Sequence, residues 1–403
     1  MMKILVLAGG SDQIALINEL KSRGHYVILL DYFENPPAKK YADKHIVAST
    51  LDIPKVREVA AEEKVDLVCT ACTDQALLTV AKVSEELNLS CYISYETALN
   101  VTNKSYMKKV MMDNRIPTSK YVIVDSLDLT AISGFDYPLV VKPVDCNSSK
   151  GVKRVENEEY LLKYLKEAIA YSRTNTAIVE EFKEGEEISA DFYVEEERVI
   201  YLSATMSTKI KNRNSFTILQ SCYPVVNEMQ EQKLIEIASQ ISQSFHLKNT
   251  PLLVQLIMKD DTFSVLEFSA RMGGGSKYNL IKVISGVDIM SEYVNLILGI
   301  KPDIKPCKMV NYAHMNYIYC NPGILSEIRG LEDLRQEGII NSYFEYKTPG
   351  MEICHAETSG DRPAGYLVVA DTQDELMRKE RIANNRIHVL NEKGEDIMMH
   401  NLI

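Results

Sequence analysis

The regular alternation of apolar strands and helical stretches over the first hundred residues constrains the fold most strongly. KILVLAG (3–9) and YVILLD (26–31) are apolar runs of strand length, separated by a helical stretch. DLVCTA (66–71) and a helix near 75–87 continue the pattern. Strands that are apolar on both faces and alternate with helices are typical of an open parallel sheet. We therefore predict that residues 1–99 form an N-terminal α/β domain that binds ligands at the carboxyl ends of its strands.

The loop after the first predicted strand invites a second interpretation. Gly9, Gly10 and Ser11 follow that strand, and Asp31 ends the next, which is typical of dinucleotide-binding sheets. The complete GxGxxG pattern is absent, however, so a tight turn and a solvated carboxylate explain these residues more simply. An NAD-dependent oxidoreductase stays open as an alternative.

Composition excludes several classes of protein. The 403 residues carry 56 acidic and 45 basic side chains, a net charge of -11 that disfavours nucleic acid and anionic membranes as partners. No apolar run approaches the roughly 20 residues of a membrane helix. The eight cysteines are scattered and the seven histidines form no HExxH-like cluster, so neither disulfides nor a zinc site is predicted. We expect a cytoplasmic protein with no targeting segment.

The rest of the chain predicts a multidomain protein of mixed α/β and α+β class. A helical pattern ends before Pro117, and short strands rich in β-branched and aromatic residues follow it. We predict, in chain order, a helical linker (100–124), a small mobile α+β lobe (125–206), a central lobe (207–300) and a C-terminal α+β region (301–403).

Two neighbouring segments of the predicted small lobe are suited to binding phosphate. Lys142 ends the apolar strand YPLVVKP, where its ammonium needs an anionic partner if it is buried. The loop that follows contains Ser148, Ser149 and Gly151, whose small side chains and backbone N–H groups suit phosphate oxygens. Either feature alone is common, but together they indicate a nucleotide-phosphate site.

An acidic segment follows the apolar strand TAIV. Glu180, Glu181 and Phe182 leave that strand, and Glu187 precedes the next one. Exposed backbone groups at such a point can hydrogen-bond the edge of adenine, and a carboxylate can accept hydrogen bonds from ribose hydroxyls. The alternative is an acidic surface hairpin, which we favour for Glu184 and Glu186 but not for Glu187.

The most informative segment is LLVQLIMKDDTFSVLEFSARMGGGS. Two strands joined at Asp260 and Asp261 place Gln255 beside Glu267, and the two-residue period puts Ser269 on the same face as Glu267. These oxygen ligands predict a Mg²⁺ or Mn²⁺ site that is completed by phosphate and water.

The residues after this acidic strand are suited to an anionic substrate. Arg271 precedes a glycine run that includes Gly274 and Gly275, and a guanidinium with open backbone amides can hold a phosphoryl group or a carboxylate. Lys209, in a basic segment after an earlier strand, is a further candidate substrate ligand, although a solvated loop explains it as well.

Taken in order, these segments resemble the ATP-grasp superfamily over most of the chain. Lys104 in VTNKSYMK is similar to the family's first phosphate-binding lysine and Lys142 to the second. The resemblance makes SSKG the phosphate loop, residues 180–182 the adenine hinge and Glu187 the ribose ligand. It also makes Gln255 and Glu267 metal ligands, and Arg271 the arginine of the family's ExNxR segment. It implies an ATP-grasp fold with a Rossmann-like N-terminal domain.

The resemblance implies an ADP-forming ligase that joins a small carboxylate to an amine through an acyl phosphate. The EFSARMGGG segment is most similar to ligases that use amino acids. Ser269 stands where the family usually has asparagine, which predicts altered metal affinity rather than an inactive enzyme. The catalytic residues implied are Lys142 and Arg271, the nucleotide is ATP, and the resemblance favours a homodimer.

Two further interpretations stay open. One is a purine-biosynthesis ligase such as phosphoribosylglycinamide synthetase, or a carboxylase relative. The loop GGSDQIAL lacks the GSGGREHA pattern of the former, and no AMKM-type biotin segment is present for the latter. The other is a nucleotide-binding regulatory protein without turnover, against which the retained lysines, Glu267 and Arg271 argue.

Overall fold

The computed structural model describes residues 1–145, 151–210 and 216–402. The N-terminal region contains β1 (Lys3–Leu7), α1 (Ser11–Ser22), β2 (Tyr26–Asp31), β3 (Lys44–Val47), α2 (Ile53–Glu63), β4 (Leu67–Cys69) and α3 (Asp74–Glu86). Its four strands are parallel, in the order β3-β2-β1-β4. The predicted parallel-sheet domain is confirmed, and the carboxyl ends of its central strands face the rest of the molecule through the starts of α1 and α3.

Two short helices connect this sheet to the next region, α4 (Tyr95–Thr102) and α5 (Lys104–Asp113). The sequence pattern predicted one helical stretch here. Asn103 separates the two helices with extended backbone, and its side chain accepts a hydrogen bond from the Tyr106 N–H at the start of α5. This cap fixes Lys104 in the first turn of α5.

The small lobe is a four-stranded antiparallel sheet with one helix. Its elements are β5 (Tyr121–Val124), β6 (Leu139–Pro143), β7 (Lys153–Val155), α6 (Glu158–Tyr171) and β8 (Ala177–Glu181), and the strand order is β5-β8-β6-β7. Leu139, Val141 and Val179 alternate along the strands and pack in the core against Leu161 and Leu165 of α6. The opposite face therefore carries Lys142 and Glu180.

The remaining elements form a large sheet with flanking helices. They are β9 (Glu186–Glu195), β10 (Arg198–Lys209), β11 (Ile218–Tyr223), α7 (Glu228–Ser244), β12 (Thr250–Lys259), β13 (Thr262–Ser269), α8 (Lys277–Ser285), α9 (Ile289–Ile297), β14 (Tyr312–Ile318), β15 (Gly323–Arg329), α10 (Leu331–Gln336), β16 (Ser342–Glu345), β17 (Glu352–Ile353), β18 (Ala364–Ala370), α11 (Gln373–Arg386) and β19 (His388–Asn391). The large sheet has the order β13-β12-β9-β10-β11-β14-β18-β16, and β17-β15-β19 form a separate small sheet.

This strand order corrects one sequence-based assignment. β9 and β10 were predicted to belong to the small lobe, but β9 pairs with β12 and lies inside the eight-stranded sheet. Strands of the predicted C-terminal region join the same sheet, because β14 pairs with β11. Apolar alternation identifies a strand without identifying its partner, so the pattern left this choice open.

The hydrophobic core around Phe268 fixes the register of β13, on which the candidate site depends. Phe268 of β13 is 2% exposed and packs edge-to-face on Phe245, with ring centroids 4.7 Å apart. Because side chains alternate along a strand, burial of Phe268 directs Glu267 and Ser269 to the other face of the sheet. A slip of one residue would exchange the two faces.

Among the residues described, no helix is both long and apolar enough to cross a bilayer.

Candidate active site between the lobes

A buried ion cluster occupies the open face of the small lobe. Lys142 and Glu180 lie diagonally on adjacent strands, and the Lys142 Nζ is 3.1 Å from a Glu180 carboxylate oxygen. Lys108 of α5 reaches the same oxygen from 3.3 Å. Burial alone would raise the pKa of Glu180, but the two lysines outweigh burial and lower it. The cluster therefore holds two lysines on one carboxylate, and Lys142 and Glu180 line a cavity between the small lobe and the central sheet.

The pKa values of the two lysines of this cluster shift in opposite directions. Burial lowers the pKa of Lys108 to about 8, although Glu180 opposes the shift. Burial acts in the same direction on Lys142, but the carboxylates of Glu180 and Glu267 outweigh it and raise the pKa of Lys142. The surroundings of Lys142 thus favour its charged form more strongly than those of Lys108.

The predicted adenine hinge divides into two parts. The Glu180 side chain is 2% exposed and contacts the lysines, so its carboxylate does not take part in the hinge. Glu181 and Phe182 lie at the end of β8, where Phe182 donates its backbone N–H to the Pro138 carbonyl at 3.2 Å. Gly185 follows with φ at +139°, and a Cβ there would lie 2.3 Å from the Met258 carbonyl oxygen. A close approach of two backbones therefore requires glycine at this position.

The predicted metal ligands share one face of the central sheet. Gln255 pairs directly with Glu267, and Leu253 pairs with Ser269. Lys104 of α5 lies over this face, with its Nζ 3.4 Å from a Glu267 oxygen. Burial alone would raise the pKa of Glu267, but Lys104 and Lys142 lower it, so the carboxylate is ionised. The strands thus present an anionic oxygen, an amide and a hydroxyl together.

Glu187 and Lys209 form an ion pair in the cavity that Lys142 also lines. Their charged atoms are 2.7 Å apart, and the Lys209 ammonium also lies 4.8 Å from the centre of the Phe216 ring. Lys209 was predicted to bind the substrate. The structure places it instead in the cavity lined by Lys142 and the hinge residues.

Arg271 is held by the N-terminal domain. Its guanidinium donates to both carboxylate oxygens of Asp74, at the start of α3, and its Nη1 donates to the Met272 carbonyl at 2.7 Å. Such bidentate pairs fix the plane of a guanidinium as well as its position. Asp74 was not predicted as a site residue, since it is separated from Arg271 by 197 positions.

The glycine run after Arg271 is tied to the N-terminal domain by a second aspartate. Asp12 of α1 accepts hydrogen bonds from the backbone N–H groups of Gly275, at 3.1 Å, and Ser276, at 2.8 Å. Gly275 has φ at +72°, and a Cβ there would lie 2.7 Å from an Arg362 nitrogen. Gly274 lies beside Asp12 in the same turn. The turn therefore needs glycine for its conformation and for the approach of Arg362.

Two further cations of this region were not predicted. Lys277 at the start of α8 is 6% exposed and lies 3.3 Å from Asp191 of β9. The Arg362 guanidinium lies over two rings, 4.1 Å from the centre of Tyr317 and 5.0 Å from that of Tyr346. Aromatic rings orient a guanidinium without neutralising its charge, so Arg362 can still bind an anion.

These residues line two cavities that meet. The first, of about 190 Å³, is lined by residues that include Arg271, Gly274, Lys277 and Arg362. The second, of about 160 Å³, is lined by residues that include Lys142, the hinge and Lys209. Lys104, Glu187, Gln255 and Glu267 line both. A molecule in one cavity and a molecule in the other would therefore meet beside Lys104 and Glu267.

The predicted phosphate loop is described only at its end. Ser148 and Ser149 lie outside the described residues. Gly151 has φ at +74°, and a Cβ there would lie 2.9 Å from the Pro143 ring. Glycine is therefore required where the loop rejoins the sheet after Lys142.

The chain is similar to known ligases over nearly its whole length. It is 24% identical to the phosphoribosylamine–glycine ligase of Thermococcus kodakarensis, over 97% of this chain and 94% of that protein. The L-amino acid ligase of Bacillus licheniformis superposes with a TM-score of 0.79 at 21% identity, over 97% of this chain and 99% of that one. The biotin carboxylase domain of the Hydrogenobacter thermophilus 2-oxoglutarate carboxylase, solved with magnesium ADP, superposes with a TM-score of 0.80 at 15% identity, over 99% and 92%.

Residues 135–279 also match the ATP-grasp domain family. That range contains Lys142, the hinge, the strands with Gln255 and Glu267, and Arg271. These matches confirm the resemblance inferred from the sequence, since residues 135–279 are similar to an ATP-grasp domain and the whole chain is similar to ligases.

Proposed function

We propose that this protein is an ATP-dependent ligase that joins an amino acid or another small carboxylate to an amine, releasing ADP and phosphate. The observation that carries the proposal is the pair of joined cavities, which share Lys104 and Glu267 at their junction. A nucleotide in the second cavity would direct its terminal phosphate toward a carboxylate in the first. Similarity to ligases with these reactants supports the same assignment.

The nucleotide occupies the cavity between the small lobe and the central sheet. Lys142 and Lys104 bind phosphate oxygens, and Lys142 is held in place by Glu180. The backbone carbonyls of Glu181 and Phe182 would accept hydrogen bonds from the adenine amino group, because both N–H groups already bond other carbonyls. Glu187 would accept hydrogen bonds from ribose. Binding would require Glu187 to exchange its present partner Lys209 for the ribose hydroxyls.

The face with Gln255, Glu267 and Ser269 fits a magnesium ion. Its oxygen donors and single ionised carboxylate are the protein ligands that Mg²⁺ accepts together with phosphate oxygens and water. Bound magnesium neutralises charge on the phosphates during transfer. Glu267 also orients Lys104 toward the same phosphates.

The carboxylate substrate occupies the cavity with Arg271 and Arg362. Arg362 binds a carboxylate through its aromatic-supported guanidinium, and the turn at Gly274 and Gly275 allows close approach. Arg271, fixed by Asp74, faces the junction, where a negatively charged intermediate would form.

The reaction then proceeds in two steps. A carboxylate oxygen attacks the γ-phosphorus, and the bond between that phosphorus and the β-γ bridging oxygen breaks. The products of this step are ADP and an acyl phosphate. The amine nitrogen attacks the acyl carbon, the carbon–oxygen bond to phosphate breaks, and the amine loses one proton. Arg271 stabilises the acyl phosphate and the tetrahedral intermediate, and closure of the small lobe over the site excludes water that would hydrolyse it.

A second candidate differs only in the amine. Similarity to a phosphoribosylamine–glycine ligase over 97% of the chain favours glycine as the carboxylate and phosphoribosylamine as the amine. The first loop, GGSDQIAL, differs from the pattern of those enzymes. Both candidates use an amino acid carboxylate at Arg362, so they share the site proposed above.

The experiment is ADP and phosphate release from Mg-ATP by the purified protein with three substrate pools. These are mixed amino acids, glycine with phosphoribosylamine, and bicarbonate with biotin. Stimulation by the amino acids alone supports the main proposal, and stimulation only when phosphoribosylamine is present supports the second candidate. ATP binding without stimulation by any pool would instead support a regulatory protein.

A cytoplasmic homodimer completes the proposal. A dimer of the biotin carboxylase domain that superposes on this chain supports the oligomeric state. Light scattering on the purified protein tests it, with twice the 45.6 kDa chain mass expected.

A further inference from the structure

A cluster of two histidines and an aspartate lies in the C-terminal region, among residues that line neither cavity of the candidate active site. His388 begins β19, Asp396 lies on the segment that returns beside it, and His400 begins a short 3-10 turn (His400–Leu402). One Asp396 oxygen, Oδ2, is 2.7 Å from the His388 Nδ1 and 3.0 Å from the His400 Nε2. The three ligand atoms all lie within 4.8 Å of one another.

The aspartate is fixed by the hairpin. Its other oxygen, Oδ1, accepts hydrogen bonds from the backbone N–H groups of Val389, at 3.2 Å, and Met398, at 3.1 Å. These two bonds direct Oδ2 toward both imidazole rings. Arg329, which lies opposite His388 on β15, is paired with Glu327 at 2.8 Å and is therefore partly neutralised.

The orientation of His400 directs one of its ring nitrogens toward Asp396. Its Nδ1 is 2.8 Å from the Asn384 carbonyl oxygen, and because a carbonyl can only accept, Nδ1 must carry the proton. The other ring nitrogen, Nε2, then faces a carboxylate oxygen 3.0 Å away. Nε2 and a carboxylate oxygen at that distance need either a shared proton or a metal ion between them.

The surroundings favour a metal ion. Metal-binding histidines usually donate their other ring N–H to a carbonyl or carboxylate, as His400 does to Asn384. Two imidazoles and one carboxylate are a common ligand set for zinc, with water in the fourth position. The ligand side chains are 45%, 30% and 32% exposed, so an ion can reach them from solution.

We propose that His388, Asp396 and His400 bind a divalent transition-metal ion of the zinc type. The ion would fasten the turn at residues 400–402 to the β19 hairpin, in a role separate from ligase chemistry. This proposal revises the expectation from the sequence, which predicted no zinc site because the seven histidines are dispersed and form no HExxH-like cluster.

Calorimetry tests the proposal. The full chain is titrated with zinc chloride at neutral pH in excess Mg²⁺, and the heat of binding is measured. We expect one ion per chain, and binding at least about tenfold weaker in both Asp396→Asn and His400→Ala. His355→Ala, which removes an exposed histidine elsewhere, is the matched control and should bind like the parent protein.

Cobalt provides a readout that does not depend on stability. Co²⁺ bound by this ligand set gives visible absorption bands in the parent protein, and the bands should be lost in Asp396→Asn while circular dichroism shows a folded chain. Zinc affinity that is absent from the parent, or equal in parent and ligand variants, would overturn the proposal and leave a proton shared by His400 and Asp396.

Discussion

The two joined cavities are built in different ways. The cavity proposed for the nucleotide, lined by Lys142 and the hinge, takes its charged residues mainly from strands and their ends. Lys142 and Glu180 face one another there across adjacent strands. The cavity proposed for the substrate takes Asp74 and Arg362 from segments far apart in the chain, and Asp12 holds the turn after Arg271. The Lys142–Glu180 pair forms within one sheet, whereas the contacts around Arg271 form only after the N-terminal domain has packed against the central sheet.

This difference explains what sequence reasoning could recover. Period-two alternation placed Gln255 beside Glu267 with Ser269 on the same face, and the strand pairing confirms that placement. The resemblance to ATP-grasp ligases is confirmed as well. The roles of the individual site residues stay predictions, which the variants below test.

Other features could not be read from the chain alone. Asp74 and Asp12 lie at helix starts, where an acidic residue is common for local reasons, so nothing in the sequence links them to Arg271 or Gly275. Arg362 follows an irregular segment, and its tyrosine partners are on two other segments. The position of the Glu180 carboxylate between two lysines could not be foreseen, because a strand pattern does not say which carboxylate meets a lysine.

We expect the largest effect from a substitution in the cavity proposed for ATP. Lys142→Met removes a buried cation from the γ-phosphate and leaves Glu180 with Lys108 alone, so ATP turnover should fall by at least about 10²–10³-fold. Steady-state ADP release measures this loss. Lys166→Met, on the exposed face of α6, is the control. An unchanged rate in Lys142→Met would remove the nucleotide assignment.

In the cavity proposed for the substrate, Arg362→Gln should affect binding of the carboxylate substrate but not binding of ATP. The KM for the carboxylate substrate should rise about 10–100-fold, because a charge-assisted hydrogen bond to the guanidinium is lost, while the KM for ATP stays the same. Arg378→Gln, at an exposed position of α11, serves as the matched control. Equal changes in both KM values would mean that Arg362 does not distinguish the cavities.

Asp74→Asn tests whether the N-terminal domain positions Arg271. Asparagine keeps one hydrogen bond to the guanidinium but loses the bidentate charged pair, so kcat should fall about tenfold with little change in the KM for ATP. Initial rates at saturating ATP and substrate measure it. Glu85→Gln on the same helix should leave kcat unchanged, and Asp74→Glu should restore part of the activity. A loss confined to thermal stability would assign Asp74 a structural role only.

The smallest effect concerns the junction that the cavities share. Ser269→Asn introduces the family's usual amide oxygen, so the Mg²⁺ concentration at half-maximal rate should fall by less than about tenfold. A magnesium titration of ADP release measures the change. Ser264→Asn, on β13 but outside both cavities, controls for disturbance of the strand. A requirement for more magnesium in Ser269→Asn would argue against Ser269 as a ligand.

The central claim, that a carboxylate in one cavity attacks ATP in the other, is tested most directly by isotope transfer. The substrate that stimulates ADP release is supplied with ¹⁸O in its carboxylate, and the phosphate released is examined by mass spectrometry. An acyl phosphate intermediate predicts one ¹⁸O atom in each phosphate formed during ligation. Phosphate that carries no label, released together with ligated product, would contradict the mechanism.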